Sequence, residues 1–456
     1  MEVFGSSGTR GVANEDLTPE FATRVAMAVG TVWDVDRVAL ARDTRLTGGM
    51  LADAAAAGLA SVGASVDRLG VVPTPALQAY AEAEGVPGLM VTASHNPPPY
   101  NGIKLVGDDG IELTVADLEA VEETLTAGAF DRVPWDAVGG SRSIDGVARR
   151  YREEVVAAVD REAIASADLR VAVDPGHGAG CETSPAIFRE LGCEVVTVNA
   201  QPDGRFPGRD PEPVPDNLTE LGRLVRTAEA DLGVAHDGDA DRAIFFDETG
   251  DYIEGDAALA ALSAAALGPG DVTVSGVNVS QRLVDVAREA GADVELTPVG
   301  STRIITRIRE LQAAGRAVPV AGEGNGGIIF PGHRLARDGA YTAARFLELV
   351  VSAPASAVVA PYDGYHNVRE NIPYENDVER AAILDAVASF AKESDATVTE
   401  QDGYRLDYGD GWVLARPSGT EPLVRVYAEA RTTDRAEALA SGMVERLRAA
   451  KVASGG

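Results

Sequence analysis

The chain has 456 residues, of which 45% are hydrophobic, and a formal net charge of −31. Its length predicts three or four domains, and its longest apolar runs are far too short to span a bilayer. Because nucleic-acid binding needs a basic surface, the charge excludes a nucleic-acid partner, and we expect no membrane contact either.

Charge and cysteine usage also bear on the compartment. The first residues carry neither a basic nor an apolar signal segment, and Cys181 and Cys193 are too few for a disulfide framework, so we expect a cytoplasmic protein. Only Lys104, Lys392 and Lys451 are lysines. An acidic surface with few lysines is typical of a halophilic protein, in which high salt screens self-repulsion. An ordinary acidic protein is the alternative.

A pattern of strand, helix, strand, helix and strand occurs three times along the chain, and each time a polar loop follows. The third strands of the three copies are predicted at residues 88–91, 232–235 and 318–321. Alternation of this kind indicates βαβ crossovers and mixed, largely parallel sheets. Since such sheets bind ligands at the carboxyl ends of their strands, we expect the three loops to line one cleft.

The first polar loop carries Ser94 and His95. Three prolines at residues 97–99 follow, which prevents a helix and predicts a stiff loop. The first unit opens with a flexible polar loop that ends at Arg10. A lone Ser-His pair is most often an ordinary surface turn, but the other loops described below favour a phosphate carrier at Ser94.

The second polar loop places Asp237, Asp239 and Asp241 at alternate positions. Three carboxylates this close repel one another unless a cation lies among them, and oxygen ligands suit Mg²⁺. One alternative is an EF-hand, with Glu248 at the twelfth position, but Arg242 replaces the glycine required at the sixth. A phosphatase nucleophile of the haloacid-dehalogenase type and a solvated acidic loop are further alternatives.

The third polar loop, residues 322–327, formally matches the dinucleotide pattern G-x-G-x-x-G. A dinucleotide site needs a helix directly after the loop, whereas Ile328 begins an apolar run that predicts a strand. We therefore reject that interpretation. Glu323 and Asn325, on a glycine-rich backbone, suit hydrogen bonds to neighbouring sugar hydroxyls.

The last segment, from about residue 360, predicts a helix, a hairpin with its turn at residues 409–411 and a final helix. An anion-binding loop with a nearby arginine lies between them: Arg416, Ser418, Gly419, Thr420 and Arg425. We predict a mobile lid domain that binds phosphate. The predicted domains are 1–146, 147–250, 251–358 and 359–456.

Together these loops resemble the α-D-phosphohexomutase superfamily, and the likeness covers essentially the whole chain. The matching segments are 5–11, 92–97 with 101–104, 237–242, 322–327 and 416–422. The resemblance implies three related α/β domains and a C-terminal α+β domain around one central cleft. It also implies a monomer or homodimer whose ligand is a small sugar phosphate.

The resemblance also implies how the loops work. Ser94 carries the transferable phosphoryl group, and Mg²⁺ is held by Ser94, Asp237, Asp239 and Asp241. Arg10, His95, Lys104 and Arg242 match catalytic positions around that group, with Lys104 as a proton donor or acceptor. The product of the first transfer is a hexose 1,6-bisphosphate, which is both intermediate and activator.

One loop departs from the commonest superfamily pattern. Many members have serine and histidine where Asn325 and Gly327 stand here, and that histidine is a proposed acid/base. The version found here resembles archaeal members assigned as phosphoglucosamine mutases. We therefore predict an isomerase that converts glucosamine 6-phosphate to glucosamine 1-phosphate, with glucose or mannose phosphates as the alternative. A Mg²⁺-dependent phosphatase that uses Asp237 is the alternative from a different class.

Overall fold

The computed structural model describes residue 4 and residues 8–418 and 422–454. Its sheets follow one another along the chain, with helices packed against them, so the predicted α/β class is confirmed. The domain boundaries after residues 146, 250 and 358 stay predictions.

The first unit contains a six-stranded sheet in the order β1-β5-β4-β2-β3-β6. Strand β2 runs parallel to β3 and β4, whereas β5 runs antiparallel to β1 and β4. The bounds are β1 (Thr9–Val12), α1 (Pro19–Trp33), β2 (Arg37–Arg42), α2 (Gly48–Ser61), β3 (Ser65–Val71), α3 (Thr74–Glu84), β4 (Gly88–Val91), β5 (Tyr100–Val106), α4 (Val115–Ala127) and β6 (Ser141–Ser143).

The sequence prediction for Arg10 was wrong in one respect, because this residue lies in strand β1 and not in a loop. Arg10 pairs with Gly102 of β5. A Cβ atom at Gly102 would lie 3.0 Å from Arg10 Cγ, so the glycine leaves room for the arginine side chain. Residues 5–7 of the predicted loop lie outside the described residues.

The second unit contains a five-stranded sheet in the order β11-β10-β9-β7-β8. Strand β7 runs parallel to its neighbours β8 and β9, whereas β10 runs antiparallel to β9 and to β11. The bounds are α5 (Val147–Ala157), α6 (Arg161–Ser166), β7 (Arg170–Asp174), α7 (Ser184–Glu190), β8 (Glu194–Thr197), α8 (Thr219–Ala228), β9 (Leu232–Ala235), β10 (Ile244–Phe246) and β11 (Tyr252–Ile253).

The third unit has a parallel pair, β12-β13, and an antiparallel sheet, β14-β15-β16. The bounds are α9 (Gly255–Ala266), β12 (Val272–Gly276), α10 (Gln281–Ala290), β13 (Asp293–Thr297), α11 (Ser301–Ala313), β14 (Ala321–Gly322), β15 (Ile328–Phe330), β16 (Arg334–Arg337), α12 (Gly339–Val350) and α13 (Ala355–Val359). The strand predicted at 318–321 is largely absent, since only Ala321 belongs to a strand. Pro319 has no N–H to donate, which prevents a continuous ladder.

The fourth unit, which we call the lid (residues 366–454), is an antiparallel sheet in the order β17-β21-β20-β19-β18. Helices α14 and α15 pack on one of its faces. The bounds are β17 (His366–Pro373), α14 (Asp377–Glu393), β18 (Thr397–Thr399), β19 (Tyr404–Asp407), β20 (Gly411–Pro417), β21 (Leu423–Ala430) and α15 (Thr433–Ser454).

The hydrophobic cores show how the units are joined. One apolar cluster runs through the first three units, from Ala39 to Val359. The lid has its own core, between its sheet and helices α14 and α15, and meets the third unit through a small cluster around Val277, Trp412 and Leu414. The first three units therefore share one apolar core, to which the lid is joined by a small apolar cluster and by hydrogen bonds such as those from Arg405 to the carbonyls of Val277 and Val279.

Within the described part of the chain, no single helix is both long and apolar enough to cross a bilayer. One pair of consecutive helices, Gly339–Val350 and Ala355–Tyr362, is together long and apolar enough, but the two helices are bent by 97° relative to each other.

Candidate active site

The serine loop follows β4 and holds Ser94 in a buried position with φ at +51°, in the left-handed region. Ser94 N donates to Thr92 Oγ1 at 2.9 Å, and that hydroxyl donates to Asp43 Oδ2 at 2.7 Å. A left-handed serine is uncommon and persists only where its surroundings fix it. The loop is therefore rigidly supported from below.

Arg45 is the main support of this loop, and sequence reasoning did not single it out. Its Nε donates to Asp43 at 3.0 Å, and its four Nη hydrogens reach carbonyl oxygens of the serine loop. These acceptors, at 2.7–2.9 Å, are the carbonyls of Ser94, Asn96, Pro97 and Tyr100. All five N–H groups of this buried guanidinium are used.

The aspartate loop follows β9 and meets the serine loop. Ser94 Oγ donates to Asp237 Oδ2 at 2.6 Å. Asp237, Asp239 and Asp241 are almost completely buried, and one oxygen of each lies within 4.8 Å of the others. A Cβ atom at Gly238 would lie 2.6 Å from Ser94 O, so the close approach of the two loops depends on this glycine.

Side chains from three units surround these carboxylates. Lys104 Nζ lies 2.6 Å from Asp239 Oδ2 and 2.9 Å from Asp241 Oδ2. Thr74 donates to Asp239 at 2.5 Å, and Arg337 donates to Asp241 at 2.8 Å. The remaining oxygens, Asp239 Oδ1 and Asp241 Oδ1, are buried without a hydrogen-bond partner among the described residues.

Two unpartnered carboxylate oxygens beside a third carboxylate fit a hard divalent cation, because each offers a free lone pair. Burial and the two neighbouring aspartates raise the pKa of Asp237 to about 7. Burial opposes ionisation of Asp241 too, but Arg337 and Lys104 hold its pKa well below the usual range. The donor set therefore suits Mg²⁺ by its chemistry.

The structure brings the other predicted catalytic residues to the same place. Arg242 Nη2 donates to His95 Nδ1 at 3.0 Å, and Arg10 Nη1 donates to Asn96 Oδ1 at 2.9 Å. The positive charge of Arg242, together with burial, holds the pKa of His95 far below its usual range. His95 is therefore neutral beside a dense group of cations.

The glycine-rich loop between β14 and β15 lies next to this group through Arg337. Gly327 N donates to Asn325 Oδ1 at 3.0 Å. A Cβ atom at Gly327 would lie 2.8 Å from Arg337 Cδ, so Arg337 fills the space beside this position. The loop is followed directly by strand β15, as predicted, and no helix stands where a dinucleotide site would need one.

The lid carries the predicted anion-binding residues. Arg416 of β20 lies directly opposite Arg425 of β21, and Ser418 N donates to Leu423 O at 2.9 Å. Gly419 and Thr420 lie outside the described residues. Arg416 Nε donates to Asp402 Oδ2 at 2.8 Å, and the same oxygen accepts from Val299 N of the third unit at 3.0 Å.

One alternative from the sequence loses support in the structure. Glu248, the possible twelfth ligand of an EF-hand, accepts hydrogen bonds from the backbone and hydroxyl of Ser356 and is not one of the clustered carboxylates. Cys181 and Cys193 are free thiols.

Comparison with protein families matches four successive domains of one family. The match to "Phosphoglucomutase/phosphomannomutase, alpha/beta/alpha domain I" covers residues 1–132, and that to domain II covers residues 149–250. Domain III matches residues 249–365, and the C-terminal domain matches residues 371–446. The matches together span nearly the whole chain.

Individual proteins are similar over the same length. A phosphoglucomutase/phosphomannomutase of Thermococcus kodakarensis is 40% identical, over 95% of this chain and 96% of its own length. A probable phosphoglucosamine mutase of Methanopyrus kandleri is 38% identical, over 98% of this chain and 97% of its own. The crystal structure of a family protein from Burkholderia thailandensis matches with a TM-score of 0.86 and 28% identity, over 99% of this chain and 98% of that one.

Proposed function

Since the chain belongs to the phosphoglucomutase/phosphomannomutase family, whose members are isomerases, we propose that it moves a phosphoryl group between O6 and O1 of a hexose phosphate through phospho-Ser94. The most favoured substrate is glucosamine 6-phosphate, with glucosamine 1-phosphate as product. The glycine-rich loop and the archaeal relatives named as probable phosphoglucosamine mutases support this choice. Glucose or mannose phosphate is the alternative, supported by the name of the Thermococcus kodakarensis relative.

One observation supports this proposal above the others. A buried serine hydroxyl lies 2.6 Å from a carboxylate of a three-aspartate cluster. In the proposed mechanism Asp237, Asp239, Asp241 and phospho-Ser94 would hold Mg²⁺, which as a Lewis acid neutralises charge on phosphoryl oxygens.

The covalent steps balance without an external reactant. A sugar hydroxyl loses its proton and attacks phosphorus of phospho-Ser94, the Oγ–P bond breaks, and a hexose 1,6-bisphosphate forms while Ser94 Oγ takes up a proton. After the bisphosphate turns over, Ser94 Oγ attacks its other phosphorus and gives up its proton. The sugar oxygen that carried this phosphate takes up a proton and becomes a free hydroxyl of the product monophosphate.

The surrounding residues stabilise and orient these steps. Arg10 and Arg242 donate hydrogen bonds to equatorial phosphoryl oxygens, where negative charge is concentrated. Burial opposes the charge of Lys104, but Asp239 and Asp241 raise its pKa, so its ammonium stays charged beside the reacting group. His95 keeps Arg242 in place through the hydrogen bond to Nδ1.

The sugar and its second phosphate are held by the glycine-rich loop and the lid. Glu323 and Asn325 bind ring hydroxyls, and the group on the lid (Arg416, Ser418, Gly419, Thr420, Arg425) binds the phosphate that is not reacting. Arg337 fills the space beside Gly327, and its two carboxylate partners, Asp241 and Glu112, keep it charged. An arginine of this kind cannot exchange protons near neutral pH, so the proposed proton donor or acceptor remains Lys104, as the resemblance implies.

We further propose a cytoplasmic, salt-adapted enzyme that works as a monomer or homodimer, with domains at 1–146, 147–250, 251–358 and 359–456. The net charge of −31 supports the salt adaptation. Activity that rises with KCl concentration would support it, and inactivation by KCl would contradict it.

The test compares the rates of the purified protein on glucosamine, glucose and mannose 6-phosphates, with Mg²⁺, high salt and a trace of hexose 1,6-bisphosphate. We expect mutase turnover, fastest on glucosamine 6-phosphate, and one added phosphoryl group on the tryptic peptide that contains Ser94. Ser94→Ala should abolish turnover without loss of folding, whereas Ser263→Ala, at a buried serine in α9, should keep it.

The same experiment separates the alternatives. Release of inorganic phosphate that persists in Ser94→Ala would establish the phosphatase and overturn the mutase. Mutase turnover that persists in Ser94→Ala would overturn the covalent role of the serine. Faster turnover of glucose or mannose phosphate would overturn only the preference for glucosamine.

A further inference from the structure

The lid sheet has two unlike faces, and the strand register shows which residues share each. Residues directly opposite in an antiparallel pair lie on the same face. Arg425 of β21 lies opposite Arg416 of β20 and Asn371 of β17. Arg369 lies opposite Tyr427, two positions along β21 from Arg425, and therefore on the same face as both arginines.

This face of the lid sheet turns toward the rest of the molecule. The opposite face, with Val424 and Val426, packs on the lid helices. On the shared face, Trp412 and Leu414 pack against Val277 of the third unit. The sheet edge at β17 extends beyond that contact and lies against the cleft.

Arg369 lines a cavity of about 430 Å³ together with Arg242 of the aspartate loop and Asn325 of the glycine-rich loop. A hexose bisphosphate fits within such a volume, which is in the usual range for small-molecule sites. Three carboxylates lie in the same wall: Glu254 pairs with Arg282, Asp256 accepts from Ser280 N at 3.3 Å, and the third is that of Glu212. The cavity thus joins the lid to the proposed catalytic residues.

Arg369 has no close ion pair among the described residues, although its charge opposes the rise that burial causes in the pKa of Asp256. Three other lid arginines, all at least 38% exposed, pair with carboxylates: Arg435 with Asp410, Arg446 with Glu393 and Arg448 with Glu370. Arg369 forms no ion pair with any described residue, and its guanidinium lies 5.8 Å from the centre of the Tyr427 ring. An exposed arginine that keeps its charge in a chain of net charge −31, in the wall of a cleft, is suited to an anionic ligand.

We propose that Arg369 is a substrate-binding residue, and that with Arg416 and Arg425 it contacts the phosphate held by the lid. Neighbouring strands are about 4.8 Å apart, so an arginine one strand away and two residues along reaches a group bound at Arg425. The inference rests on the proposed function, because it takes a hexose phosphate as the ligand. A third arginine adds a charge-assisted contact from the β17 side of that phosphate.

The test measures binding of glucose 1,6-bisphosphate by calorimetry, in a Ser94→Ala protein that cannot turn it over. Adding Arg369→Gln should raise the dissociation constant about tenfold, as expected for one lost hydrogen bond to a charged group. Adding Arg380→Gln, at an exposed arginine of α14, is the matched control and should change nothing. The melting temperature and the Mg²⁺ affinity should be equal in all three proteins.

Each other outcome counts against a defined statement. An unchanged dissociation constant in Arg369→Gln would overturn the assignment of Arg369, whereas no binding even to the Ser94→Ala protein would overturn the proposed function. If Arg369→Gln weakened the binding of unphosphorylated glucose by the same factor as that of the bisphosphate, Arg369 would contact the sugar, and the phosphate contact would be overturned. Partial recovery in Arg369→Lys would support it, since the charge returns without the guanidinium fork.

Discussion

Ser94 and Asp237 are joined by a hydrogen bond of 2.6 Å, although they lie 143 positions apart and follow strands of two different sheets. The hydroxyl comes from the loop after β4, and the carboxylate comes from the loop after β9. Their distance is therefore set by how the first two units pack.

The first prediction concerns the metal. Asp239→Asn removes a charge from the three-aspartate cluster, so Mg²⁺ affinity should fall at least about tenfold. A Mg²⁺ titration followed by both reaction rate and melting temperature measures this. Asp395→Asn, at an exposed aspartate of the lid, is the control. Identical titration curves for Asp239→Asn and the parent protein would remove the cluster as the metal site.

The second prediction concerns the support beneath the serine. Arg45→Lys replaces five fixed donors by an ammonium with three, so it leaves buried carbonyls without partners and removes the guanidinium from the Asp43 carboxylate. We expect a loss of about 3 kcal/mol in the free energy of unfolding, together with a lower kcat. Urea denaturation measures the first. The same exchange at the exposed Arg446 should cost less than about 1 kcal/mol in the free energy of unfolding. Equal losses at the two sites would contradict the role of Arg45 as the support of the serine loop.

The third prediction concerns the approach of the two loops. In Gly238→Ala the new methyl group would lie 2.6 Å from Ser94 O, and because backbone cannot give way cheaply, Ser94 and Asp237 must separate. We expect phosphorylation of Ser94 to be lost while the protein stays folded. Gly442→Ala is the control: nothing lies within 4 Å of this glycine in α15, so alanine should stabilise the helix by up to about 1 kcal/mol. A phosphorylated, active Gly238→Ala protein would refute the packing requirement.

The fourth prediction concerns pH. Burial and Arg334 lower the pKa of His333 to about 4, from 6.5 in an unfolded chain. As pH falls below 6.5 the unfolded chain therefore takes up the proton first, so the stabilisation is complete above 6.5 and is lost toward pH 4. One such group contributes a slope of up to about 1.4 kcal/mol per pH unit.

His333→Phe isolates this contribution, because phenylalanine keeps a ring to stack on Tyr341, whose centroid lies 3.9 Å from that of His333. Guanidinium denaturation between pH 4 and 7 should show a shallower fall in stability for the variant. If stability fell equally steeply with pH in both proteins, a group other than His333 would take up the proton.

The sequence predicted those strands and loops that are determined by residues close together in the chain. The apolar run 88–91, closed by a polar loop and prolines, forms strand β4 as expected, and the alternate aspartates at 237–241 follow a strand. Strand β17 was missed because its polar residues, largely exposed, show no apolar run, so that only pairing with β21 defines it. With it, Arg369 was missed.

Residues that act between distant segments could not be found from local patterns. Arg45 and Arg337 look like ordinary arginines in the sequence, yet each is buried and bonded to groups far along the chain. Their environment is created by folding, so no spacing rule shows it. Arg337 ends strand β16, whereas Arg45 lies in the loop after β2, and neither position alone indicates burial.

The separate core of the lid has a consequence for how the protein melts. Cooperative unfolding requires a continuous apolar interior, and the interior of residues 366–454 is divided from that of the preceding three units except at the contact around Val277. Scanning calorimetry should therefore resolve two endotherms. A bound bisphosphate that contacts both the lid and the other units should merge the two endotherms into one.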